Sequence, residues 1–152
     1  MQTQTVDIKK YLPHRTPMLM VDEIISIDDH QVITNFKIQK NNIFVKNNMF
    51  LESGLIENAA QTCSAIVAQP LFTSTKKFLK KELKVIGFIS AIKNLKVHQL
   101  PQTDSLIQTK AVLGSRFDTD DYALCTMFCS TLHEENLLFE AEINLFIQEE
   151  RL

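Results

Sequence analysis

The spacing of apolar positions along this chain changes twice, and each change marks a different kind of element. The opening "DIKKYLPHRTP" (7–17) reads as a short helical turn and then an irregular stretch, since Pro13 and Pro17 bar a continuous helix. "MLMVDEIISID" (18–28) is rich in branched apolar residues and predicts a strand. After a turn at residues 28–30, "QVITNFKIQ" (31–39) predicts a second strand, with Val32, Thr34, Phe36 and Ile38 in alternation. Residues 40–52, "KNNIFVKNNMFLE", fit neither period and are expected to form a loop.

The period then becomes helical. "GLIENAAQTCSAIVAQ" (54–69) predicts a long helix, with Ser53 as N-cap and Pro70 ending the pattern. "LFTSTKKFLKKEL" (71–83) reads as a second helical piece, and Lys76, Lys77, Lys80, Lys81 and Lys84 give this region a basic face. From residue 85 onward the pattern is that of strands: 85–100, 105–114, 122–132 and 136–148. The last alternates most clearly, with Leu137, Phe139, Ala141, Ile143, Leu145 and Ile147 on one face and Glu140, Glu142, Asn144 and Gln148 on the other. Turn residues cluster in "LPQTD", "FDTDD" and "HEEN".

Two strands, one long helix, then four strands in succession keep helix and sheet segregated, which predicts an α+β fold with an antiparallel sheet. Ala59, Ala60, Ser64, Ala65 and Ala68 are small, and small side chains let a curved sheet approach the helix closely. A helix with so little charge is best buried when a sheet wraps it. That arrangement is the hotdog fold, expected here as one domain over residues 1–152.

Composition removes several alternatives. A net charge of −2 gives no reason to expect nucleic acid or a membrane surface as partner. Three glycines provide no GxGxxG and no P-loop, and no CxxC or HExxH spacing points to a metal. Neither a bound metal nor a resident cofactor is expected. The first fifteen residues lack the apolar run of a signal peptide, no segment approaches a membrane span, and a cytoplasmic location is expected. Three cysteines are consistent with a reducing compartment. Cys125 and Cys129 are four apart in a strand, roughly 13 Å against about 7 Å at most for a disulfide, so these and Cys63 read as small buried residues.

Against this background Glu57 stands out as the one charge in a sixteen-residue helix. Removing a carboxylate from water without a partner costs several kcal/mol or more, so such a group is paired, poorly buried or chemical in purpose. Glu57, Gln61 and Ser64 fall at i, i+4 and i+7, one polar line on an otherwise apolar helix. Of the four histidines, His30 and His133 sit in predicted turns and His98 closes a strand. His14 precedes the strand expected beside the helix, which makes it the histidine to pair with Glu57.

Two stretches resemble a known family. "YLPHRTPMLMVDEI" (11–24) resembles the N-terminal signature of 3-hydroxyacyl-acyl-carrier-protein dehydratases, and "GLIENAAQ" (54–61) resembles the start of their central helix. The resemblance is closer still to the dehydratase-like hotdog proteins of aryl-polyene and related pigment pathways. It implies a 3-hydroxyacyl thioester substrate on acyl carrier protein, with any phosphopantetheine belonging to the substrate, and a homodimer or an assembly of dimers. Glu57 matches the family's helix carboxylate, Gln61 its helix amide, and Pro13-His14-Arg15 its N-terminal motif. The expected catalytic groups are then Glu57, as acid, and His14. Gly54, Asn58 and Gln61 are the expected substrate-binding positions, with helix amides near Gly54 donating to the thioester oxygen. The basic face is a place where an acidic carrier could dock. The sequence departs from the family where its catalytic histidine belongs, fourteen residues before the helix carboxylate. Ile43 stands there, in "IFVK". Two rivals follow: a thioesterase using the helix carboxylate alone, and a non-catalytic hotdog subunit.

Overall fold

The computed structural model of the protein describes residues 6–73 and 83–151. Strand β1 (Val6–Asp7) leads into a 3-10 turn over Ile8–Lys10, capped by the Asp7 carboxylate, which accepts from the Lys9 amide at 3.0 Å. Strands β2 (Glu23–Ile27) and β3 (Gln31–Lys37) follow as an antiparallel pair. β2 is shorter than the apolar run predicts. Met20 bonds through its amide and its carbonyl to helix side chains rather than to a neighbouring strand.

Part of the expected loop is a small hairpin, β4 (Val45–Lys46) and β5 (Met49–Phe50). Asn47 and Asn48 both take left-handed backbone angles, φ 52° and 61°, which suits a two-residue turn and which asparagine tolerates well. Helix α1 (Glu52–Thr73) starts before Ser53 and runs past Pro70, so neither expected boundary holds. Pro70 lies in the last turn, so the backbone hydrogen bond that its missing N–H forgoes is lost near the end of the helix and not in its middle. Lys76, Lys77, Lys80 and Lys81 lie outside the described residues.

Four long strands complete the chain: β6 (Leu83–Val97), β7 (Leu106–Asp118), β8 (Tyr122–His133) and β9 (Asn136–Arg151). The main sheet is antiparallel throughout, in the order β1-β2-β3-β7-β8-β9-β6. It curls around α1, which contacts β3, β6, β7, β8 and β9. This is the hotdog architecture that the element order predicts.

Alternation decides which side chains meet the helix. Val32 and Phe36, Ile107 and Ala111, Met127, and Ala141 to Ile147 at every second position all turn inward and are buried against Leu55, Ala59, Cys63 and Ile66. The β9 pattern departs from expectation at one end. The register shifts between Thr131 and Leu132, so Leu138 is buried and Leu137 faces out. Such a bulge moves later residues to the opposite face.

The helix–sheet interface also contains a polar seam whose hydrogen bonds are made internally. Thr34 bonds Thr62 at 2.8 Å, Thr109 donates to Asn58 Oδ1 at 2.6 Å, and Thr109 meets Thr131 at 2.8 Å. Thr62 also donates to the Asn58 carbonyl at 2.9 Å. Buried hydroxyls with partners add specificity of register that an apolar seam lacks. Beside this seam the Cys63 and Cys129 sulfurs lie 3.1 Å apart as free thiols. Burial, reinforced by the Cys129 neighbour, pushes the Cys63 thiol well above its ordinary range.

Candidate active site

The loop before β2 and the first turns of α1 are joined by two amide side chains. Gln61, 1% exposed, accepts from the Met20 amide at 2.7 Å and donates to the Met18 carbonyl at 2.8 Å. The two backbone groups have opposite character, so they fix which end of the Gln61 amide is oxygen and which is nitrogen. Its remaining N–H therefore points to Glu57 and donates to Oε1 at 2.7 Å. Asn58, also buried, donates to the Met20 carbonyl at 2.7 Å while accepting from Thr109. Sequence reading placed Asn58 and Gln61 on the substrate. In the fold their polar atoms are committed to the protein, and what they hold is the loop carrying His14 through Met20.

That loop brings His14 to Glu57. His14 Nε2 stands 3.9 Å from Glu57 Oε1, with the side chains 33% and 25% exposed. Arg15, the next residue of the motif, turns away and donates to the Leu12 and His14 carbonyls. Glu57 and His14 line a cleft of about 240 Å³ whose other walls are Ala60, Gln61, Ser64, Gly87, Phe88, Ile89 and Leu145. The predicted polar line of Glu57, Gln61 and Ser64 thus forms one side of the cleft, and strand β6 forms the other. Behind His14 is a smaller pocket of about 60 Å³, reached by Tyr11, Ser64 and Val67. His14 Nδ1 is buried and has no hydrogen-bond partner among the described residues. A pocket of that volume has room for a water, which needs only about 10–15 Å³ of centre-accessible space.

Other expected residues lie elsewhere. Gly54 does not line the cleft. Its amide donates to the Leu51 carbonyl at 3.0 Å, and its missing side chain makes room for Phe50, whose Cζ would lie 2.5 Å from an added Cβ. The helix amide expected at the thioester oxygen is therefore used in the helix itself. Ile43 is 49% exposed and is absent from the cleft wall. His98 bonds Glu140 at 2.8 Å on the outer surface, His133 meets the Leu106 carbonyl, and His30 caps a turn through its amide. Sequence reading did not identify Gly87, Phe88 and Ile89 as cleft residues. The one available signal was Gly87, a glycine inside a strand, which often marks a close approach. No group of three or more metal-binding side chains occurs among the described residues, and no helix among them is long and apolar enough to cross a membrane.

Comparison with known proteins bears on the family and the fold. Residues 6–151 match the family described as ApeP-like, the ApeP dehydratases. No curated protein is a detectable sequence relative. Among solved structures, the dehydratase heterocomplex ApeI:P from Xenorhabdus doucetiae superposes with a TM-score of 0.77 at 14% identity, over 94% of this chain and 91% of that one. A hypothetical thioesterase with coenzyme A from Streptococcus pneumoniae reaches 0.60 at 13% identity, over 86% and 88%. Cj0977, a sigma28-regulated virulence protein from Campylobacter jejuni, reaches 0.61 at 12%, over 91% and 84%. These likenesses show the fold, and the family match adds the lineage: the chain belongs to the ApeP-like dehydratase family of hotdog proteins.

Proposed function

We propose that this protein takes part in dehydrating a 3-hydroxyacyl thioester carried on acyl carrier protein, giving the 2-enoyl thioester and water. The observation carrying this reading is the pairing of one carboxylate and one imidazole in a cleft with no other ionisable lining residue among the described residues. Dehydration needs one group to take the C2 proton and another to deliver a proton to the C3 hydroxyl as it leaves. Gln61 can only donate to Glu57 Oε1, which leaves Oε2 to exchange a proton with substrate. Glu57 serves as the acceptor of the C2 proton, the reverse of the acid role that the sequence suggests. His14 Nε2–H serves the departing hydroxyl, with a water behind it at Nδ1. The apolar walls from Ala60, Ile89 and Leu145 suit an acyl chain, while the phosphopantetheine arm arrives with the substrate. A carrier-linked substrate fits a cytoplasmic enzyme.

The open side of the cleft supports action as an assembly. Among the described residues β6 pairs with β9 on one edge only, leaving its other edge without a strand partner beside Phe88 and Ile89, which are 54% and 40% exposed. A second hotdog chain pairing there would close the cleft. Ile43 in place of the family's histidine favours a second reading, in which the catalytic share of this chain is small and a related chain supplies the main groups. The ApeI:P structure is itself a heterocomplex.

Mass spectrometry of a 3-hydroxyacyl carrier incubated with the protein separates these readings. Loss of water by the protein alone supports the first. Loss of water only on adding a companion dehydratase chain supports the second. Release of free acid would mean a thioesterase.

A further inference from the structure

The imidazole of His14 meets a side chain at one end only. Its Nε2 stands 3.9 Å from Glu57 Oε1 at the cleft, while Nδ1 is buried without a hydrogen-bond partner among the described residues. Buried polar atoms are nearly always paired, so Nδ1 marks an open hydrogen-bonding position. His14 also lines the pocket of about 60 Å³ behind the ring, where Tyr11 and Ser64 are the other polar side chains. Ser64 is the third member of the polar line on α1 and borders both the cleft and this pocket.

Counting hydrogens decides what Ser64 can offer. Its one hydroxyl hydrogen is donated to the Ala60 carbonyl at 2.9 Å, so toward the pocket its oxygen presents lone pairs alone. At the other end of the ring Glu57 Oε1, which already accepts from Gln61, presents lone pairs too. A neutral imidazole carries a single N–H. Placed on Nδ1, that hydrogen leaves the Nε2 lone pair facing a carboxylate oxygen, acceptor against acceptor. Placed on Nε2, it faces the carboxylate, and Nδ1 then requires a donor that Ser64 is not. We propose that a water in this pocket donates one hydrogen to His14 Nδ1 and the other to Ser64 Oγ, so that Ser64 holds His14 in its Nε2–H tautomer. The pocket exceeds the roughly 10–15 Å³ that a water needs, and two polar partners meet the minimum for an ordered one.

This deepens the dehydration reading and, for its bearing on the reaction, rests on it. His14 Nε2–H is the group that serves the departing hydroxyl, and in the other tautomer the hydrogen sits at the wrong end of the ring. Ser64 is therefore a positioning residue that acts through the water and the imidazole. The line of Glu57, Gln61 and Ser64 gains a single purpose: Gln61 orients the carboxylate, and Ser64 orients the histidine.

Long-range proton–nitrogen correlation spectra of the imidazole rings in the isotopically labelled full chain test this without turnover. They are recorded at about pH 8.5, well above the ordinary histidine pKa of about 6.5. Only four histidines are present, and the His14 signals are those lost in His14→Gln. The wild type is expected to show His14 with hydrogen on Nε2 and a bare Nδ1. In Ser64→Ala the ratio of the two tautomers should fall by on the order of tenfold, the loss of one hydrogen bond, and Ser64→Thr should restore it. Alanine is the best helix former and gives up only a back-bond to the preceding turn, so the variant keeps its fold. A wild-type His14 with hydrogen on Nδ1, a Ser64→Ala spectrum unchanged from wild type, or a threonine variant that behaves like alanine overturns the proposal. Dehydration of a 3-hydroxyacyl carrier substrate by the same variants separates the two readings. A tautomer that depends on Ser64 while water loss does not leaves this proposal standing and removes His14 from proton delivery.

Discussion

Replacing Gln61 by leucine tests the junction on which the cleft depends. The substitution keeps the approximate volume of the side chain and removes three hydrogen bonds, to the Met20 amide, the Met18 carbonyl and Glu57. Met20 is fully buried, so its amide is left without water or partner. An orphaned buried donor costs about 1–3 kcal/mol, and each of the other two bonds contributes about 1 kcal/mol net. The leucine regains part of this through apolar burial, leaving an expected destabilisation of about 2–4 kcal/mol. For a chain of this size that lowers the melting temperature by on the order of 5–15 °C. Urea denaturation followed by circular dichroism, at one fixed protein concentration, measures it. If Gln61 instead faces substrate, the variant should lose substrate affinity and little stability. A loss under about 0.5 kcal/mol, the usual size of a surface change, would refute the positioning role.

Four further outcomes follow from the same packing. Gly54→Ala places a methyl group within 2.5–2.8 Å of Phe50 and Phe44, and with Phe50 fully buried the expected cost is about 1–3 kcal/mol in chemical denaturation. The native protein should show no thiol reactive to a maleimide at pH 7, and all three after unfolding, because Cys63, Cys125 and Cys129 are buried and burial raises the Cys63 and Cys125 thiols. Since the unfolded thiols ionise near 9.0 and these two do so only higher, stability is full below that pH and falls as pH rises above it, a trend that Cys63→Ala should weaken. Gly87→Leu, whose Cβ would lie 3.1 Å from Ile147 Cδ1 and 3.9 Å from Ser64 Oγ, fills the junction of the cleft and the smaller pocket and should lower turnover more than stability.

The strand and helix order was legible because period-two and helical spacing are separate signals, and they place β3, β7, β8, β9 and α1 without help. What the pattern misjudged has local causes. Residues 18–21 look like strand because they are apolar, but the backbone of Met18 and Met20 bonds to the helix side chains Asn58 and Gln61, which local pattern does not encode. Asn47 and Asn48 hide a hairpin inside a polar run, because their left-handed angles require only asparagine's tolerance. At the site, Glu57 was visible as an isolated charge and His14 through its motif. Their meeting depends on contacts forty residues apart in sequence, between the Met18–Met20 loop and α1. The β6 wall was invisible for the same reason: Gly87 through Ile89 reach the cleft only because β6 closes the far edge of the sheet.

The measurement that bears most directly on the account is C2 proton exchange and water loss from a 3-hydroxyacyl carrier substrate in deuterated buffer, comparing the wild type with Glu57→Gln. The glutamine preserves size and hydrogen bonding while removing the carboxylate that takes the proton. With the wild type active, alone or with a companion dehydratase chain, both C2 exchange and dehydration should fall by on the order of 10²–10⁴ in the variant, while melting temperature stays within a few degrees. Exchange and dehydration that continue undiminished in Glu57→Gln would place the proton acceptor elsewhere and contradict the assignment of this cleft.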